Sequence, residues 1–224
     1  MGRSTRTGLP FTRAYPGESP DKRAARLFLY KLGAQAPRLG HAITLAGTEP
    51  QAEVDLMRDY LKWPGAKTWF VDWARNTETR ARVLAALAAI KAAWPEANVV
   101  RGDINEVLTE IPLVGFANLD FMGFDRHSVM PCIKATLARL APGGVMAVTW
   151  FRGREIDAPH RSAWDVLEAA RDVPSAADRR WAGVLRLVER WGREARCGLE
   201  LVGALEYQHK NAPMSVTAWR RSWL

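Results

Sequence analysis

Short apolar runs that alternate with helical patterns constrain the fold of this chain more than any other feature of its sequence. Five such runs read as strands, at residues 41–46, 67–72, 97–103, 114–119 and 145–151. Helical spacing of apolar residues predicts helices at 21–32, 51–62, 76–94, 104–111 and 128–140. Strands that alternate with helices in this way favour a mostly parallel sheet with helices on both faces.

The pattern changes in the last third of the chain. Helices are predicted at 162–171 and 176–196, and two strands follow at 198–208 and 215–223 with no helix between them. Two strands joined directly are antiparallel neighbours. The predicted fold class is therefore α/β, a doubly wound and mostly parallel seven-stranded sheet with a C-terminal antiparallel hairpin. Residues 1–20 lack periodicity and are expected to form a flexible basic arm, and residues 21–224 a single domain.

Acids stand at the ends of three predicted strands. Asp72, Asp103 and Asp120 each follow an apolar run. In open α/β sheets, ligands bind beyond the carboxyl ends of the strands, so these positions suit a working side chain. Each acid alone has an equally good explanation as a helix cap or a residue of a solvated turn. Three acids at the ends of successive strands are harder to explain in this way when they are taken together.

The net charge of +8 and the pI near 9.9 indicate a basic chain. Much of the excess lies near the two termini, at Arg3, Arg6, Arg13, Lys22, Arg23, Arg26, Lys31, Arg220 and Arg221. Such a balance favours phosphate-rich partners, because neutralising phosphates releases counterions. Nucleic acid is thus a possible partner, although a solvated basic face is the commoner reason for a moderate excess.

Several other classes of protein are disfavoured. No run approaches the roughly 20 apolar residues of a membrane span, and no apolar signal segment follows the N-terminal charges, so we expect a cytoplasmic protein without a membrane partner. Cys132, Cys197 and four scattered histidines have no metal-site spacing, so no metal is expected. The chain also lacks the motifs of P-loop NTPases, α/β hydrolases and dinucleotide oxidoreductases. Its oligomeric state is left open.

Five strand–helix units followed by a terminal hairpin give an element order that resembles the class I S-adenosylmethionine-dependent methyltransferases, which have a Rossmann-like fold. The segment Leu-Ala-Pro-Gly-Gly at 140–144, predicted as a turn, also resembles the one before the fifth strand of that family. The resemblance covers roughly residues 22–224 and implies S-adenosylmethionine as the cofactor.

The resemblance also implies roles for particular residues. Asp72 would accept hydrogen bonds from the ribose hydroxyls, which a carboxylate at that strand end is suited to do. Asp103, with Ile104, would lie beside the adenine. The first loop, Ala46, Gly47, Thr48 and Glu49, would contact the rest of the cofactor. It departs from the family pattern because it has one glycine and its acid follows that glycine.

The fourth strand ends in Asn118, Leu119, Asp120 and Phe121, a polar-x-Asp-aromatic arrangement. Asp120 is the candidate catalytic residue, with Asn118 beside it and Phe121 placed to pack on a flat substrate. These residues favour N-methylation, and the basic charge of the chain favours nucleic acid as the substrate. The alternative is a catalytically inactive methyltransferase-like module that binds nucleic acid or serves in assembly.

Overall fold

The computed structural model describes residues 15, 19–46, 50–72, 77–121, 129–151, 166, 168–209 and 212–223. Within these ranges, no helix is long and apolar enough to cross a membrane.

A single sheet of seven strands forms the centre of the fold. The strands are β1 (His41–Leu45), β2 (Thr68–Asp72), β3 (Asn98–Arg101), β4 (Val114–Asp120), β5 (Leu140–Phe151), β6 (Leu199–His209) and β7 (Ala212–Arg221). Their spatial order is β3-β2-β1-β4-β5-β7-β6. β1 to β5 pair in parallel, whereas β7 is antiparallel to both β5 and β6. The predicted sheet and its terminal hairpin are confirmed.

Six helices accompany the sheet in the described ranges. They are α1 (Pro20–Gln35), α2 (Pro50–Val54), α3 (Thr77–Ala93), α4 (Ile104–Glu110), α5 (Val129–Arg139) and α6 (Ala176–Glu194). α2 continues as a π-helix over Asp55–Tyr60. Of the helix predicted at 162–171, the residues 166, 168 and 169 are helical, and most of the others lie outside the described residues.

Apolar side chains form one core on each face of the sheet. One core joins the sheet to α1, the α2 and π-helix stretch and α3, and its strand residues include Ala42, Phe70 and Phe116. The other joins the sheet to α4, α5 and α6, and includes Ile43 and Leu119. Successive residues of a strand face opposite sides, so neighbouring positions enter different cores. The prediction of helices on both faces is confirmed, and the apolar core consists of two layers divided by the sheet.

The segment 140–144 corrects a local prediction. It was expected to be a turn before the fifth strand, but it belongs to β5 as a bulge. β4 pairs Val114 with Leu140 and Phe116 with Val145, so the register shifts between these pairs. Gly143 has a φ of 73°, a conformation that glycine adopts without strain. The connection predicted at 209–214 is likewise mostly strand, because β6 extends to His209 and β7 begins at Ala212.

Three residues of the predicted N-terminal arm are described: Pro20 begins α1, and Tyr15 and Ser19 are attached to the domain. The Ser19 side chain caps α1 by accepting a hydrogen bond from the Lys22 amide. Tyr15 is buried, and its hydroxyl bonds to the Asp55 carboxylate of the π-helix. The Arg26 guanidinium lies 4.6 Å from the centre of the Tyr15 ring. The chain is therefore fixed to the domain at least as early as Tyr15.

Candidate functional site

The strand order reverses between β1 and β4, and this creates the candidate site. From β1 the chain adds β2 and β3 on one side, then returns to place β4 on the other side of β1. At such a point the connections leave towards opposite faces of the sheet, so a crevice opens at the carboxyl ends of the two strands. The end of β4 carries Asn118 and Asp120, two of the predicted catalytic residues.

Two buried polar residues lie side by side at this point. Thr44 of β1 is directly paired with Asn118 of β4, and their exposed fractions are 0% and 2%. The Asn118 Nδ2 group donates a hydrogen bond of 3.2 Å to Thr44 Oγ1. Asn118 Oδ1 is buried and has no partner among the residues that the structure describes. Such an unpaired acceptor is costly unless something donates to it.

Glu53 of α2 joins this pair, and the sequence analysis did not single it out. Thr44 Oγ1 donates a hydrogen bond of 2.9 Å to Glu53 Oε2. Because α2 follows the loop after β1, its first turn lies over the end of that strand. A signal was present in the sequence, since Glu53 precedes the buried Met57 by four residues and so shares its helix face. The widened π-helix that follows is a distortion often found near functional sites.

The surroundings of Glu53 change its acidity. Burial raises its pKa to about 7, and the negative charge of Asp120 acts in the same direction. Hydrogen bonds from Thr44 and Asn118 and the positive charge of Lys22 oppose this increase. Glu53 therefore exchanges a proton near neutral pH, which an ordinary glutamate does not.

Asp120 is the last residue of β4 and pairs with Thr149 of β5. It lies two positions after Asn118, so both side chains leave the sheet on the same face. The side chain is exposed to solvent, yet desolvation by the surrounding protein raises its pKa. The charge of Lys22 lowers this pKa and that of Asp72 raises it.

Tyr207 of β6 also belongs to these surroundings. Burial raises the pKa of its hydroxyl, and the nearby charge of Asp120 adds to the effect. The amide of the next residue, Gln208, donates to the Asp21 carboxylate at the start of α1 over 3.3 Å. This bond joins the end of β6 to the first turn of α1, which carries Lys22.

The predicted cofactor residues occupy the neighbouring strand ends. Asp72 ends β2 and is half-buried, and its carbonyl accepts a hydrogen bond from the Gly102 amide at the end of β3. Asp103 caps α4, because its Oδ1 accepts bonds of 2.8 Å and 2.9 Å from the Asn105 amide and side chain. Asp103 is therefore a helix cap, as the alternative explanation of the strand-end acids held. Its carboxylate can still accept further hydrogen bonds.

The remaining predicted residues divide into three groups. Ala46 and Ile104 are buried, and the Ala46 amide donates to the Val71 carbonyl. Phe121 packs against the core on the α4, α5 and α6 face, opposite to Asn118 and Asp120, so the structure does not bring it beside them. Gly47, Thr48 and Glu49 lie outside the described residues. Within the described ranges, no group of three side chains is arranged to hold a metal ion.

Several basic residues of the termini are engaged within the protein. Arg26 is buried and donates to the Tyr30 hydroxyl over 3.1 Å. Arg220 donates to Gln35, and Arg221 donates to the Leu140 carbonyl over 2.5 Å. These three arginines keep their positive charges, but some of their N–H donors are already used in these hydrogen bonds. They are therefore less available to contact phosphates than the sequence suggested.

Several solved structures share this topology. No family model and no curated protein matches the sequence. Solved structures do match: Trm1 from Pyrococcus horikoshii with S-adenosyl-L-methionine has a TM-score of 0.55 and 13% identity, over 89% of this chain and 55% of that one. The N-methyltransferase NodS from Bradyrhizobium japonicum WM9, in complex with S-adenosyl-L-homocysteine, has a TM-score of 0.52 and 15% identity, over 92% and 89%. This chain has the class I methyltransferase fold.

A third solved structure is similar to this chain over almost the whole length of both proteins. A candidate rRNA methylase from Clostridium thermocellum has a TM-score of 0.53 and 9% identity, over 92% of this chain and 97% of that one. The resemblance noted in the sequence is thereby confirmed for the fold. At these identities the likeness concerns the backbone path, and the chemistry has to be argued from the side chains of the site.

Proposed function

We propose that this protein is an S-adenosylmethionine-dependent methyltransferase that acts on an amino nitrogen, with nucleic acid as its substrate. The observation that carries this proposal is the polar group at the reversal of strand order. Thr44, Asn118 and Glu53 are joined by hydrogen bonds there, and Asp120 lies at the end of the same strand as Asn118. In a methyltransferase fold this is the place where ligands bind.

The residues present fit the cofactor. Asp72 offers a partly exposed carboxylate at the end of β2 for the two ribose hydroxyls, and Asp103 and Ile104 follow β3 for the base. Among the described residues nothing donates to the buried Asn118 Oδ1, and a ligand would supply that donor. When bound, S-adenosylmethionine supplies an electrophilic methyl group.

The chain itself would position the amine and receive its proton. Asp120 accepts a hydrogen bond from the amine and so orients the nitrogen lone pair. Its negative charge stabilises the positive charge that develops on that nitrogen. The raised pKa of Asp120 also suits a group that takes up a proton, since a more basic carboxylate is a better acceptor. Solvent exposure then lets the proton leave to water.

The choice of nucleic acid rests on charge and on the neighbours. The chain carries a net charge of +8, which attracts a polyanion. One structure with the same fold is a candidate rRNA methylase. The competing proposal is an inactive methyltransferase-like module that binds nucleic acid or serves in assembly, and the single glycine of the first loop is the feature that favours it.

Calorimetric titration with S-adenosylmethionine and S-adenosylhomocysteine tests the enzyme proposal. We expect saturable heat and an increase in melting temperature, because a ligand at ~100 times its dissociation constant stabilises the folded state by roughly 2.7 kcal/mol. Absence of both signals at millimolar ligand, with nucleic-acid binding retained, would favour the inactive module instead.

A further inference from the structure

Hydrogen-bond acceptors outnumber donors at the Glu53 and Asn118 cluster. Thr44 Oγ1 already donates to Glu53, and the Asn118 side chain already donates to Thr44 and also bonds to Glu53. Among the described residues, the acceptor capacity without a donor is the remainder of the Glu53 carboxyl group and Asn118 Oδ1. Both are acceptors when Glu53 is ionised, so a ligand that satisfies them must donate.

The charged groups that face the cluster add a preference for a cation. Asp120 from β4 and Lys22 from α1 both act on Glu53. The charge of Asp72 on β2 acts on Asp120, and the charge of Asp120 acts on the Tyr207 hydroxyl of β6. Among the described residues, the positive charge of Lys22 therefore stands against the carboxylates of Asp120 and Asp72, and the surroundings of Glu53 are negative. Anionic ligand groups are therefore disfavoured here, and a cation is attracted.

We propose that the Glu53 carboxylate and Asn118 Oδ1 accept hydrogen bonds from the ammonium group at the amino-acid end of S-adenosylmethionine. This inference rests on the proposed function, because it concerns how that cofactor is held. An ammonium group has three donors and a positive charge, so it satisfies both acceptors and the local charge together. A hydroxyl group would supply one donor and no charge.

The hydrogen bond to Thr44 does not by itself require a charged residue at position 53, whereas binding of an ammonium group does. A glutamine would make a similar contact with Thr44 and would not place a charge in partly desolvated surroundings. A carboxylate becomes favourable when a cation binds beside it. Glu53 would then supply the acid that the first loop lacks before its glycine, and Thr44 would act as the positioning residue for the Glu53 carboxylate.

The test compares two ligands on three proteins. S-adenosylhomocysteine is titrated calorimetrically beside an analogue in which hydrogen replaces the amino group. The proteins are the wild type, Glu53→Gln, and the matched control Asp59→Asn, whose wild-type carboxylate pairs with Arg58. We expect Glu53→Gln to lose about 10- to 100-fold in affinity for S-adenosylhomocysteine, the range of a charge-assisted hydrogen bond, and to bind the analogue as the wild type does. Asp59→Asn should bind both ligands normally.

A proton count provides a second readout. Ammonium binding lowers the pKa of Glu53, so the wild type should release about half a proton per ligand at pH 7, where roughly half of Glu53 is protonated beforehand. Titration in buffers of different ionisation enthalpy measures this release. It should be absent with Glu53→Gln and with the desamino analogue.

The outcomes separate the two proposals. If the wild type does not bind S-adenosylhomocysteine, the proposed function itself fails. If the wild type binds but Glu53→Gln weakens both ligands equally, or neither, the assignment of Glu53 is wrong. Should Glu53→Gln fail to fold, Thr44→Val is used, which removes the hydroxyl that holds Glu53. A selective loss for the amino-bearing ligand supports the inference, and an equal effect on both ligands contradicts it.

Discussion

Glu53 shows how one side chain can link stability to pH. Its pKa in the folded protein is raised to about 7, whereas an unfolded glutamate ionises near 4.5. Between these values the folded state binds more protons than the unfolded state, so the free energy of unfolding falls as the pH increases. Below this range both states are protonated. Above about pH 8 the unfavourable contribution is complete.

Replacement of Glu53 by Gln should therefore stabilise the protein at high pH. The gain should be near zero at pH 4.5 and increase to as much as ~3 kcal/mol above pH 8, because each pKa unit corresponds to about 1.4 kcal/mol. Urea denaturation at pH 5 and pH 8.5 measures it. The control Asp59→Asn should lose stability about equally at both pH values, since the bond from Arg58 lowers the pKa of Asp59 from 3.8 and both measurements lie above it. A gain that is the same at both pH values would contradict the raised pKa of Glu53.

Replacement of Asp120 should reduce turnover, whereas replacement of Asp72 should reduce cofactor affinity. Asp120→Asn keeps the shape of the side chain and removes its charge, so we expect turnover to fall ~100-fold or more while cofactor affinity is nearly unchanged. Asp72→Asn should weaken cofactor binding first. Transfer of a radiolabelled methyl group to mixed RNA and DNA, together with calorimetry, separates the two effects. If Asp120→Asn only lowers the melting temperature, and activity per folded molecule is unchanged, Asp120 is structural.

At the scale of elements, close approach of the backbone fixes the position of β4. A Cβ atom on Gly115 would lie 2.3 Å from the Leu39 carbonyl oxygen and 2.9 Å from that of Pro37. These distances are far below contact, and backbone atoms cannot move away as a flexible side chain does. Gly115 therefore lets β4 lie against the segment that precedes β1, and it sets the depth at which Asn118 and Asp120 emerge.

Gly115→Ala should destabilise the fold by about 1–3 kcal/mol, the usual range for overpacking. Gly102→Ala is the matched control, because the nearest atom to its added Cβ, Val100 Cγ1, is at an ordinary 3.6 Å. Chemical denaturation of both variants gives the comparison. Equal stability of the two variants would show that the 37–39 segment moves aside without cost.

For the whole molecule, the charge distribution bears on the substrate. Arg26, Arg220 and Arg221 already donate to groups within the protein. The remaining basic residues still outnumber the acids, because the complete chain has 32 lysines and arginines against 24 acidic residues. Long-range attraction of a polyanion depends on this excess and not on which cations make contacts.

Affinity for an RNA or DNA oligomer should accordingly fall with salt. Contact with about four phosphates would reduce binding roughly 100-fold between 50 and 200 mM salt. Fluorescence anisotropy with a labelled oligomer measures this slope. No binding at 50 mM salt would exclude a nucleic-acid substrate and leave a small molecule or a protein as the acceptor of the methyl group.

Much of the architecture could be predicted from local pattern. Apolar periodicity records which face of each element is buried, so most strands and helices of the described residues were predicted to within a few residues. The predicted antiparallel hairpin followed from two strands joined without a helix. The prediction of a turn at 140–144 was wrong. A bulge and a turn can contain the same glycines, and only strand pairing distinguishes them.

The sequence by itself determined the order of elements and the acids at the strand ends, since both depend on neighbours along the chain. Only the tertiary structure decided which side chains meet. Thr44 and Asn118 are 74 residues apart and touch because β4 is inserted beside β1. Phe121 lies on the opposite face from Asp120 because alternate residues of a strand diverge. The spacing of Glu53 to Met57 indicates its helix face, but Glu53 joins the cluster only because α2 folds back over β1.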